Sequence, residues 1–136
     1  MEFIMSVSVS VNVPTSTVRD LLIGAVEGGS NYWGAFHEDP NFTKSVTESD
    51  MTSYVESEGG EYHACYDIEN PNYCLRVKDS EGGATYNVTF ENFINGLGVM
   101  ANRYPHHFRN VVAENHDAET SDVFIQCAVF GEIVFG

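Results

Sequence analysis

Asp122-Val123-Phe124-Ile125-Gln126-Cys127-Ala128-Val129-Phe130 is apolar at every position except Asp122 and Gln126. At helical spacing these side chains point in all directions, and a helix that is apolar all round must be enclosed by other elements. The expectation is a helix capped by Asp117 or Thr120, running through Phe130, at the buried centre of the fold. Asp122 and Gln126 lie on one face of it, four residues apart, so they must find buried partners. Backbone groups near Gly28-Gly29 are one reading, and a polar patch facing a ligand in an apolar pocket is the other.

The elements that enclose this helix are read outward from it. Thr89 caps a preceding helix whose apolar side is Phe90, Phe93, Ile94, Leu97, Ala101 and Tyr104. Pro105 suits the first turn of a further helix over His106 to Ala113. Before these, Glu61 to Ile68, Tyr73 to Lys78 and Ala84 to Val88 read as strands, separated by Glu69-Asn70-Pro71-Asn72 and Ser80-Glu81-Gly82-Gly83 as turns. Cys65 and Cys74 could face each other in the first hairpin. Near the start, Ser6 to Val13 alternates without a break, and Val7, Val9, Val11 and Val13 share one face of a half-buried strand. Pro14 ends it. Thr15, Ser16 or Thr17 then caps a helix with Val18, Leu21, Leu22, Ala25 and Val26 on its core side. Gly28 and Gly29 stop that helix, as a left-handed cap would. Segregated strands and helices predict a single α+β domain over residues 1–136: an antiparallel sheet of about four strands, with three to four helices packed on one face. The first strand is expected to join the later ones.

Charge is the other strong signal. Six Lys and Arg stand against twenty Asp and Glu, a formal net charge of -14. Such a field repels phosphates and anionic membrane, and six scattered cations cannot assemble a phosphate-binding surface. Residues 36–61 hold Glu38, Asp39, Glu48, Asp50, Glu56, Glu58 and Glu61 against Lys44 alone, a net of -6. Their apolar residues are sparse, so an exposed, irregular segment is expected there. No run is apolar enough for a transmembrane helix. Met1 to Met5 is too short for a signal peptide, and the three cysteines lack any CxxC spacing, so reduced thiols in a cytosolic chain are expected.

No motif for catalysis or metal binding stands out, and no cofactor is implied. Glu27-Gly28-Gly29-Ser30 lacks the Lys-Ser/Thr of a phosphate loop and follows a helix instead of a strand. His106 and His107 diverge by about 100° on a helix and do not share a metal easily. His116 beside Glu114 and Asp117 is a weak acid–base cluster, the only basis for a small hydrolase. Tyr32 and Trp33 read as core aromatics, or with Arg103 and Arg109 as the stacking and charge-pairing groups of a nucleotide pocket.

Leu21-Leu22-Ile23-Gly24-Ala25-Val26-Glu27-Gly28-Gly29-Ser30-Asn31-Tyr32-Trp33 and the tail from Asp117 to Gly136 together resemble a family of small, uncharacterised phage and prophage proteins. That family has an EGGxxYW element and a C-terminal DVxxQxxxFGExVYG element; Phe135 stands here where a Tyr is common. The acidic middle matches neither. The resemblance implies an accessory protein made in the cytoplasm of an infected bacterium. By analogy of class, it implies an inhibitor of host defence such as an anti-CRISPR protein. The charge adds a mechanism: the carboxylates of residues 38–61 mimic nucleic acid and occupy the basic groove of a host protein. A sponge for a nucleotide signal is the alternative and a small hydrolase the second alternative. The sequence leaves a homodimer open.

Overall fold

The structure, a computed structural model, describes residues 2–38 and 68–136. It has an α+β fold. Among the described residues there are four helices, α1 (Thr15–Gly24), α2 (Phe90–Arg103), α3 (Pro105–Val112) and α4 (Ala118–Phe130). Three antiparallel strands, β1 (Gly34–Glu38), β2 (Leu75–Asp79) and β3 (Thr85–Val88), lie in the order β1-β2-β3.

α4 is the centre that its sequence predicts. Every residue from Thr120 to Ala128 is buried. Asp117 caps it by accepting the Thr120 N–H at 2.9 Å, and Gly131 closes it with φ 75°. α2 reaches α4 because residue 96 is glycine. A Cβ there would stand 2.8 Å from the Ala128 nitrogen and 2.9 Å from its Cα, too close for any side chain. Thr89 opens α2, its N–H donating to Asn92 Oδ1 at 2.9 Å, and Pro105 occupies the first turn of α3.

The sheet places one face on the helices. Cross-strand register sets Phe36 beside Val77 and Val77 beside Tyr86, while Leu75 stands between Glu38 and Val88. Leu75, Val77 and Val88 are buried, and Tyr86 meets Phe130 of α4 edge-on with ring centroids 5.2 Å apart. The β2–β3 hairpin falls where its turn residues predict. Asp79 stitches that turn, accepting from the Glu81 and Gly82 amides.

Four expectations are corrected. Ser6–Val13 is extended but pairs with no strand among the described residues, and Val7 and Val9 stand largely in solvent. Alternation specifies which side of a strand is apolar; it cannot supply the neighbouring edge that makes a strand part of a sheet. α1 starts at Thr15 behind Pro14, which offers no side-chain cap. The first amides of α1 instead use backbone, Thr17 and Val18 both donating to the Pro14 carbonyl. The Gly28-Gly29 pair is not a left-handed cap: α1 widens into a π-helical turn, Ala25–Gly29, with Gly28 in an extended conformation at φ 176°. Gly29 serves close approach instead, since a Cβ would lie 2.6 Å from the Ala118 carbonyl oxygen. Finally, Phe36, His37 and Glu38 belong to β1 instead of opening an irregular segment. The rest of that segment, the strand expected over 61–67, and Cys65 lie outside the described residues.

Candidate functional site

The one dense polar cluster among the described residues is built on Asp122. Its α4 position aims the carboxylate at the loop that follows the π-helical turn. Oδ1 accepts from Ser30 Oγ at 2.7 Å and from Trp33 Nε1 at 2.8 Å. Oδ2 accepts from the Tyr32 hydroxyl at 2.5 Å and from Gln126 Nε2 at 3.0 Å. Gln126, one turn on, holds the tail: its Oε1 accepts the Val134 and Phe135 amides at 2.8 Å each, and its Nε2 reaches the Phe135 carbonyl at 3.2 Å. Phe135 in turn lies flat on the Trp33 ring, centroids 5.3 Å apart and planes 9° apart.

This cluster joins the two sequence elements that carry the resemblance. Ser30, Tyr32 and Trp33 come from the first; Asp122, Gln126 and Phe135 come from the second. Four donors satisfy the buried carboxylate, so the cluster closes on itself as a fastening between distant parts of the chain. Its cost on the tyrosine is plain. The Tyr32 hydroxyl is pushed up to about 12, first by burial of the group and then by the Asp122 carboxylate it donates to.

Beside the cluster is a cavity of about 470 Å³, lined among others by Tyr32, His107, Glu119, Asp122, Gln126 and Phe135. His107 is fixed in its wall by a 3.0 Å contact between Nδ1 and Thr120 Oγ1. Glu119 adds a second carboxylate to the lining. Neither Arg103 nor Arg109 lines it. Arg103 packs over the Tyr104 ring and reaches the Gly131 carbonyl at 3.5 Å, and Arg109 is exposed on α3. Trp33, with no accessible surface, is a core residue, whereas Tyr32 is more than half exposed. The four residues proposed for a nucleotide pocket are therefore not brought together.

The remaining candidates are placed as follows. Glu38 ends β1; Asp39, Glu48, Asp50, Glu56, Glu58 and Glu61 lie outside the described residues. Glu114 accepts from Thr17 Oγ1, Asp117 caps α4, and His116 is half-buried with Nδ1 lacking a partner among the described residues. The Thr120 amide holds the Asp117 carboxyl below its ordinary range. Burial pushes the Cys127 thiol up to about 11, the state of a packed thiol and not of a nucleophile. No group of three or more His, Cys, Asp and Glu among the described residues is arranged to hold a metal ion. No described helix is long and apolar enough to cross a membrane.

Sequence reasoning marked Asp122 and Gln126 but missed Ser30 and the backbone at 134–135 as their partners. Polarity inside an apolar helix was the available signal; nothing local points across the 92 residues from Ser30 to Asp122. Comparison with protein-family models finds no match, and neither the curated proteins nor the solved structures yield one.

Proposed function

We propose that this chain is a non-catalytic inhibitor, encoded by a phage and acting in the cytoplasm of its bacterial host, that blocks a host protein through an acidic, nucleic-acid-mimicking surface. A defence complex that binds nucleic acid, as CRISPR effectors do, is the target that suits it best. The observation that carries this reading is the charge: -14 overall, with seven carboxylates and one lysine in residues 36–61. Solubility of a small domain needs a net charge of only about 2–8, so the excess calls for another use. A basic groove built for phosphates supplies the complementary field, and long-range attraction speeds the encounter.

The test is capture of the target on immobilised protein, followed by elution. Rising salt should release it steeply, DNA should compete it off, and the triple charge reversal Glu48→Lys, Glu56→Lys, Glu58→Lys should abolish capture. Retention indifferent to salt, or capture by the triple variant, overturns the mechanism.

A nucleotide sponge stands second, because the cavity beside Tyr32 has the size for a small molecule. Among the described residues its lining bears Glu119 and Asp122 and no arginine or lysine, so a phosphate there would meet negative charge. The small hydrolase stands last: of its three groups, Glu114 and Asp117 are engaged in structural hydrogen bonds.

A further inference from the structure

From Phe3 to Val18 the chain contains no charged side chain, although the whole carries -14. Within that run the odd positions Phe3, Met5, Val7, Val9, Val11 and Val13 are all apolar, and Ser6, Ser8, Ser10 and Asn12 between them are polar. The segment is extended, yet it makes no ladder hydrogen bonds with the described residues, and Val7 and Val9 are 80% and 78% exposed. Val9, Val11 and Val13 nevertheless form one wall of a groove of about 410 Å³. The other wall is Ile94, Leu97 and Ala101 of α2 with Phe108 of α3. Ile94 and Ala101 were expected to face the core; instead they are exposed here, with Ile94 at 55%.

We propose that this arm is a dimerisation strand: Met5–Val13 of one copy pairs antiparallel with Met5–Val13 of a second copy. The two-stranded ribbon then covers the grooves along both α2 helices. Three observations select a second copy as the occupant. The pattern is self-complementary: pairing about Val9 sets Val9 against Val9, Val7 against Val11 and Met5 against Val13. Every apolar side chain then stays on one side of the ribbon, as a two-fold contact requires. The charge agrees. Two copies at -14 each repel wherever carboxylates meet, and this run is the longest in the sequence without any charged side chain. A basic partner would gain nothing from it. The groove is continuous with the arm: its valines already face α2, and what they lack among the described residues is a neighbouring backbone edge and a cover.

The experiment is a molar-mass measurement by light scattering across protein concentration. The expected mass at high concentration is twice the 15.1 kDa of the chain. Val7→Lys with Val9→Lys should return it to one chain, with an unchanged far-ultraviolet circular dichroism spectrum, because both side chains are mostly exposed in the single copy. Ser8→Thr, on the polar side, should leave the dimer intact. Val9→Cys should form a disulfide-linked dimer under mild oxidation, and Ser80→Cys should not. Association should tighten as salt rises, opposite in sign to capture of a basic target, so the two readings fail separately. A single-chain mass at all concentrations, a dimer that survives Val7→Lys with Val9→Lys, or no preferential cross-link through Val9→Cys overturns the proposal.

Discussion

Tyr32 holds the fastening at its most exposed point. Its hydroxyl donates to Asp122 while the residue is more than half exposed, so ionising it would set a phenolate against a buried carboxylate. The sign follows from the shift. A tyrosine raised from 10.0 to about 12 binds its proton more tightly in the folded state than in the unfolded one. Its contribution is fully present below pH 10.0, and it is lost as pH rises through about 12. We therefore expect stability to fall across that window, with a late component in the ultraviolet phenolate titration. Tyr32→Phe should remove both, at a neutral-pH cost of about 1–2 kcal/mol for a hydrogen bond to a charged acceptor. Urea unfolding followed by Trp33 fluorescence measures it. An alkaline loss that persists unchanged in Tyr32→Phe contradicts the assignment.

At the scale of elements, α2 contains its own controlled comparison. Gly96 faces the Ala128 backbone with no room for a methyl group, whereas a Cβ at Gly98 meets nothing within 4 Å among the described residues. Alanine is favoured over glycine in a helix by about 1 kcal/mol. Gly98→Ala should thus stabilise by up to about 1 kcal/mol. Gly96→Ala should destabilise by about 1–3 kcal/mol, because α2 and α4 must part to admit it. Opposite signs in chemical denaturation confirm the contact; equal signs refute it. This contact was not legible in the sequence, where both glycines look like the same weakness in a helix. What was legible had a local cause. The all-round apolarity of 123–130 and the Asp117 cap located α4, and Ser80-Glu81-Gly82-Gly83 located the β2–β3 hairpin. What was not legible depends on a distant neighbour. Gly34-Ala35-Phe36-His37-Glu38 has no β-branched residue and becomes β1 only through its register with β2. Ser6–Val13 has the better strand pattern and no neighbouring strand among the described residues. The same limit governs the site: Asp122 announced a need for partners, but Ser30, Tyr32 and Trp33 come to it only once α1 and α4 are packed.

The whole molecule must hold twenty carboxylates against six cations. Among the described residues the charge compensation is thin: Arg19 meets Glu69 at 3.2 Å at the surface, a kind of pair worth about 0–1 kcal/mol. Folding brings the carboxylates closer than they lie in the spread chain, so self-repulsion opposes the folded state and salt relieves it. The Debye length falls from about 30 Å at 0.01 M to about 10 Å at 0.1 M, shorter than a domain of this size. Relief of about 1 kcal/mol corresponds to a rise in Tm of about 3–5 °C for a chain of this length. The measurement belongs in the variant Val7→Lys with Val9→Lys, so that any gain from association drops out. Sodium chloride and sodium fluoride should act alike at equal ionic strength, since screening depends on ionic strength and not on the identity of the anion. A Tm that is flat or falls with salt would mean the carboxylates are compensated within the fold. The electrostatic reading of the acidic surface would then lose its footing, because a field already neutralised at home cannot reach out to a basic groove.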